Sequence, residues 1–180
     1  AETASKLGAK VILISGPTNQ KLSDLSIDLT LITSSDEMYE KVIAKFSNSD
    51  VIIMSAAVAD FKPKITFNNK IKKSNQTLSI EVEKTKDILS YLGEHKKNQL
   101  LIGFALETEN EIENAKLKLK NKNLDLIVLN SLNDEGAGFG VETNKITIIS
   151  KDNKSINFPL KDKKSVSFDI INKIIELINE

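Results

Sequence analysis

Apolar residues in this chain come in short bursts, at 11–15, 27–32, 51–55, 100–105 and 125–129. The bursts are rich in Val, Ile and Leu and barely alternate, which is the pattern of strands buried on both faces between helix layers. Between them, apolar positions recur with helical spacing and predict helices over 37–46, 87–94, 111–121 and 166–178. Strand alternating with helix at this spacing predicts an α/β fold: a doubly wound, mostly parallel sheet with helices on both faces. Two segments break the rhythm. The stretch TLSIEV at 77–82 alternates as a half-exposed strand does, and 145–150 with 155–158 flank the turn signal KDNK, predicting a β-hairpin ahead of the last helix. Residues 1–10 read as the final turns of a helix closed by Gly8, and as part of a longer polypeptide whose leading strand and loop lie ahead of them.

Composition narrows the ligand. The 180 residues suit one domain, 1–180, with a flap at about 60–76. Lys plus Arg and Asp plus Glu number 25 each, so the broad basic field that nucleic acid or a membrane surface requires is missing. With 0 cysteines, disulfides, thiolate metal sites and cysteine nucleophiles are excluded. The 1 histidine, His95, sits at an expected helix end, so no Ser-His-Asp set or multi-histidine metal site can form. No apolar run approaches membrane length and no signal peptide is visible, which leads to the expectation of a cytoplasmic protein.

The most informative stretch is VIIMSAAVADFKPKITFNNKIKK, residues 51–73. A strand runs into Ser55, Ala56 and Ala57, which leave backbone bare for a ligand, and then into Asp60 and a polar loop carrying Lys62, Lys64, Lys70, Lys72 and Lys73. In an open parallel sheet, ligands collect at the carboxyl ends of strands. Ser15-Gly16-Pro17-Thr18, the Ala56–Asp60 segment and Gly103-Phe104-Ala105-Leu106-Glu107-Thr108 all fall at such ends. Each also reads as an ordinary turn or tight packing. Asp60 either caps a turn or meets a cation or ribose hydroxyl. The lysine run is either a solvated face or a set of phosphate partners on a loop that can close. Around Lys84, Thr85, Lys86 and Asp87, Thr85 or Asp87 caps a helix whose start is itself an anion site. On the helix 111–121, Ile112, Ala115 and Leu119 mark the buried stripe; Lys118 and Lys122 line one border, and Lys116 and Lys120 the other. The glycines at 136, 138 and 140 form no G-x-G-x-x-G and open no helix.

Taken in order, Leu7-Gly-Ala-Lys-Val, Ile14-Ser-Gly-Pro-Thr, Ser55-Ala-Ala-Val-Ala-Asp-Phe and Lys70-Ile-Lys-Lys resemble the phosphopantothenoylcysteine synthetases (phosphopantothenate–cysteine ligases). So do Glu83-Lys-Thr-Lys-Asp-Ile, Gly103-Phe-Ala-Leu-Glu-Thr, Lys122-Asn-Leu-Asp-Leu-Ile and Asn144-Lys-Ile-Thr-Ile. The resemblance implies a Rossmann-like fold, usually dimeric, that joins 4′-phosphopantothenate to L-cysteine with CTP through an acyl-cytidylate. It implies Mg²⁺ as partner of the triphosphate, with the residue holding the metal left open. In bacteria such a domain is usually the C-terminal half of a bifunctional protein, and FMN belongs to the fused decarboxylase half. By position, Ala56, Ala57, Asp60, Lys70, Lys84, Thr85, Lys86, Asp87, Phe104, Lys118 and Lys122 match nucleotide-contacting places, and Lys70 matches a flap lysine tied to catalysis. The family also has a loop ahead of residue 1, with an arginine, an asparagine and a Ser-Ser-Gly-Lys-Met-Gly-type turn. Lys86 stands where many relatives have proline.

Two other readings share the fold class. A nicotinamide-dependent oxidoreductase lacks support from a glycine fingerprint or from an acidic residue closing the second strand at Ile32-Thr33-Ser34. A nucleotide-binding or dimerisation module without catalysis would bind CTP and form no product.

Overall fold

The computed structural model describes residues 1–67, 69–70, 79–134, 136–137 and 140–179. It opens with a short helix α1 (Glu2–Lys6), whose Schellman closure has Gly8 at φ 94°. Strands β1 (Ile12–Ser15) and β2 (Asp28–Leu31) pair in parallel as a unit of their own. Helix α2 (Ser35–Phe46) leads to β3 (Val51–Met54), and β4 (Phe61–Pro63) pairs antiparallel with β5 (Val82–Lys84). Helix α3 (Ile88–His95), β6 (Leu100–Glu107), α4 (Glu111–Asn121) and β7 (Leu126–Ser131) follow. The hairpin β8 (Thr143–Ser150) and β9 (Ser155–Asp162) then precedes α5 (Lys163–Asn179).

The main sheet has the order β3-β6-β7-β8-β9, with β3, β6 and β7 parallel and β8 and β9 antiparallel. The terminal hairpin therefore extends the sheet instead of standing beside it, and the sheet is mixed. Period-2 alternation divides the core. Leu101, Ala105, Ile127 and Leu129 pack with Met38, Val42, Ile88, Leu92, Ala115 and Leu119 from α2, α3 and α4. Ile102, Leu126 and Val128 pack on the opposite face with Val166, Ile170 and Ile174 of α5. Each such side chain larger than alanine contributes roughly 1.5–3 kcal/mol of burial. Gly103 lies between these layers, where an added Cβ would come 2.7 Å from Leu124 and 3.2 Å from Leu89. On α4, Ala115 and Leu119 are buried as expected, but Ile112 is 40% exposed.

Burial on both faces holds for β6 and β7 but not for β1, β2 and β3, which are half-buried or exposed. For β1 and β3 the reason is an apolar slot of about 160 Å³ between them, lined by Ile12, Leu13, Ile14 and residues 51–55. Successive strand residues point to opposite faces, so a slot touching all of them looks onto the strand edges. Neither facing edge is paired among the described residues.

The expected strand at 77–82 starts late. Pairing begins at Val82 opposite Pro63, and residues 71–78 lie outside those described. Its partner β4 falls where a loop was expected. The ribbon is two-faced: Lys62 and Lys64 pair with Glu83 and Glu81, while Phe61, Ile65, Ile80 and Val82 are all more than half exposed. No described helix is long and apolar enough to cross a membrane.

Candidate functional site

The carboxyl ends of β1, β2 and β3 open onto one cleft of about 810 Å³. Gly16 and Pro17, Thr33 and Ser34, and residues 56–59 line it, with Phe61 and Lys62 of the ribbon above. Ala56 and Ala57 are exposed there, and their small side chains leave the backbone open to the cleft. The start of α2 also borders the cleft, and two of its N–H groups, those of Ser34 and Glu37, are already used by a capping box. Ser34 Oγ accepts from Glu37 N at 3.2 Å, and the Glu37 carboxylate accepts from Thr33 N at 2.6 Å and Ser34 N at 3.1 Å. With Asp36 and Glu37 in its first turn, this end is acidic and disfavours a phosphate. The capping box was legible in the sequence as Ser34-x-x-Glu37.

Cations gather on the neighbouring side, beside the carboxyl end of β3. Thr85 fixes the 84–87 segment to the loop after β3: its N–H donates to the Asp60 carbonyl at 2.9 Å and its hydroxyl to the Ala59 carbonyl at 2.7 Å. Asp87 caps α3, accepting from Ser90 N at 2.9 Å. Lys122 Nζ donates to Asp87 Oδ2 at 2.5 Å and to Ser90 Oγ at 2.7 Å. Lys118 Nζ donates to the Phe104 carbonyl at 2.8 Å. Thr85 with the Asp60 backbone and Asp87 with Ser90 and Lys122 form two bonded sets linked through the 84–87 chain, and Lys118 is held on β6 at Phe104, one residue past the partner of the last residue of β3. Of the two lysine pairs on α4, this one reaches the strand ends. Lys84 and Lys86 are exposed on the same segment, and Lys86 Nζ sits 4.6 Å above the Tyr39 ring.

The flap lysines divide. Lys62 bonds Asp36 of α2 and lies 3.5 Å from Glu83, and Lys64 lies 3.3 Å from Glu81, so both are engaged within the protein. The Asp36 bond raises the Lys62 pKa and lowers that of Asp36. Lys70 is exposed, while Lys72 and Lys73 lie outside the described residues. Asp60 caps no turn among the described residues: its carbonyl accepts from the distant Thr85 N, and its exposed carboxylate accepts no hydrogen bond among those residues. His95 is exposed at the end of α3, stacked on Tyr91 at 4.0 Å. Pairings such as Lys62 with Asp36 and Lys86 with Tyr39 bridge distant segments and carry no sequence signal.

Asp87 titrates below the ordinary value of 3.8. Burial alone would raise it, but the Lys122 ammonium and the Ser90 N–H bond the ionised form and outweigh that. Because the folded value is depressed, the stabilisation is complete above 3.8 and disappears as pH falls through the lower folded value. Asp87→Asn is therefore expected to melt below the wild type at about pH 6, with the gap closing toward about pH 2. Melts in a pH series check this; a gap that is constant with pH would remove the ion pair from the explanation.

An α/β sheet with helices packed on both of its faces defines a domain of the doubly wound class. The chain belongs to the family of the DNA/pantothenate metabolism flavoprotein C-terminal domain, which matches residues 1–178. It is 45% identical over 177 residues to the coenzyme A biosynthesis bifunctional protein CoaBC of Bacillus subtilis (strain 168), covering 98% of this chain and 44% of that protein. It is 49% identical over 180 residues to a cysteine/cysteine sulfinic acid decarboxylase of an unknown prokaryotic organism, covering 99% of this chain and 50% of that protein. The chain thus spans about half the length of these relatives. A crystal structure of the C-terminal domain of CoaBC aligns at a TM-score of 0.83 and 40% identity, covering 100% of this chain and 81% of that one. The α/β architecture expected from the sequence is the architecture of that domain.

Proposed function

We propose that residues 1–180 form the ligase domain of a cytoplasmic coenzyme A biosynthesis enzyme that joins 4′-phosphopantothenate to L-cysteine using CTP. The observation that carries this reading is the gathering of Thr85 on the Ala59 carbonyl, Lys122 on Asp87 and Lys118 on the Phe104 carbonyl beside the carboxyl end of β3. Membership in a family that includes the CoaBC C-terminal domain supports it. In the first step the phosphopantothenate carboxylate attacks the α-phosphate of CTP, forming the acyl-cytidylate and releasing pyrophosphate. In the second the cysteine amine attacks the acyl carbon, CMP leaves, and the amide forms. Charge accumulates on the phosphates, so fixed cations are the main requirement. Lys118 and Lys122 supply them from α4, Lys84 and Lys86 from the segment before α3, and Lys70 from the flap, with Ala56 and Ala57 giving the nucleotide a flat backbone surface.

Magnesium fits this site as a companion of the triphosphate. Among the described residues no group of three or more His, Asp or Glu side chains stands ready for a metal, and Mg²⁺ is commonly held by one or two carboxylates plus substrate phosphates. The Asp60 carboxylate, unengaged among the described residues, is the protein group that would meet it or the ribose, and when bound the ion neutralises phosphate charge. FMN belongs to the fused decarboxylase half of such enzymes. A homodimer is part of the proposal, with the apolar face of the β4–β5 ribbon as the surface a second copy would cover. The neutral charge balance argues against nucleic acid as a partner.

A second reading, nucleotide binding without turnover by these residues alone, draws support from the open slot between β1 and β3, whose strands end at the cleft. Calorimetric titration with CTP and Mg²⁺, with ATP and NAD⁺ as controls, tests both readings. Selective CTP binding is expected. Product formation by the bound chain favours the ligase, binding without product favours the second reading, and NAD⁺ binding in place of CTP overturns both.

A further inference from the structure

The side chain of Lys122 runs along one face of α3. Asp87, Ser90 and Gly93 are spaced three residues apart, so they stack along that face, and Lys122 bonds the first two. The third has no side chain. A Cβ built on Gly93 would lie 2.0 Å from the Lys122 carbonyl oxygen and 2.8 Å from its carbon, so only glycine lets the end of α4 come this close. Asn123 completes the contact. It occupies the left-handed C′ position of a Schellman closure, with φ 49°, Asn123 N donating to the Lys120 carbonyl and Leu124 N to the Leu119 carbonyl. Its side-chain Nδ2 donates across to the Gly93 carbonyl at 2.8 Å. The base of Lys122 is thus held by backbone packing and one amide bond, while its tip is held by Asp87 and Ser90.

We infer that Gly93 and Asn123 are positioning residues: together they fix where the Lys122 ammonium stands at the strand-end site and so set the affinity for the nucleotide phosphates. The inference rests on the nucleotide-binding reading above. An unsupported lysine carries large rotamer freedom, which would have to be lost when the phosphate binds. Here it is lost in folding.

The test uses the full-length protein, with CTP and Mg²⁺ as the probe and a double-mutant cycle as the readout. Asn123→Gly keeps the left-handed backbone and deletes only the amide bond, and is expected to weaken CTP binding about fivefold, the equivalent of one hydrogen bond. In a Lys122→Met background the same change is expected to leave CTP affinity unaltered, because the group it positions is gone. Asn123→Asp, which keeps an acceptor in place of the donor, is expected to fail to rescue. Gly93→Ala is expected to weaken binding further, and its melting temperature shows whether the fold survives. If Lys122→Met binds CTP as the wild type does, the nucleotide reading of Lys122 fails. If Lys122→Met weakens binding while Asn123→Gly does not, or if the two losses multiply, the positioning role is overturned.

Discussion

Lys70→Gln in the full-length protein is expected to lower turnover by about 10²–10³, with a smaller change in KM for CTP. The substitution keeps a polar side chain and removes only the charge. Lys70 sits on the polypeptide between β4 and β5, whose base closes over the strand-end cleft through Phe61, Lys62, Pro63 and Lys64. A cation delivered from such an arm acts where charge accumulates, on the phosphates of the transition state, and losing one donor of that kind costs about 2–4 kcal/mol. Lys62 and Lys64, in or next to β4, lie instead against Asp36, Glu83 and Glu81. Steady-state kinetics of the coupled ligase reaction decide the matter. Wild-type turnover in Lys70→Gln rules out the assigned role, and a rise in KM alone would make Lys70 a ground-state binding residue.

Asp125→Ala carries the largest stability effect, about 3–5 kcal/mol, because it strips the partner from a buried cation. The Asp125 and Lys96 side chains are only 7% and 11% exposed and meet at 2.7 Å. The same carboxylate accepts from Leu101 N at 2.8 Å, and Lys151 stands 3.6 Å away. Asp125 thereby ties the start of β6, the end of α3 and the β8–β9 turn together at the amino ends of the parallel strands. Lys96→Met is expected to cost less, since Asp125 keeps the Leu101 N–H and Lys151. Urea unfolding of both single variants measures this order. Because Asp125 lies at the opposite end of the sheet from the cleft, CTP affinity of the folded Asp125→Ala protein should stay within about twofold of wild type. A cost below about 1 kcal/mol would mean the pair is solvated in solution.

Local chemistry is what the sequence determined. Unbroken Val, Ile and Leu bursts defined β6 and β7, since a strand packed on both faces leaves no place for alternation. The helical period placed α4 and α5, and Gly8 marked the end of α1 because few other residues accept its φ. The turn signal KDNK located the β8–β9 hairpin. The strand-end rule singled out the segments after β1, β3 and β6, and the resemblance supplied the choice of nucleotide, which no spacing encodes.

Tertiary structure decided the rest, because it depends on groups far apart in the chain. That Lys118 and Lys122 face the strand ends, and not Lys116 and Lys120, follows from how α4 rolls onto β6 and β7 through Ala115 and Leu119. That Lys62 and Lys64 are spent within the protein follows from β4 pairing with β5 across a long loop, a register no local pattern reveals. The half-exposure of β1 and β3 arises from strand edges that face each other unpaired, although their residues are as apolar as those of β7. The contact of Gly93 with the Lys122 carbonyl belongs to helix packing alone: a glycine within α3 looks locally like a flaw, and only the end of α4 gives it a purpose.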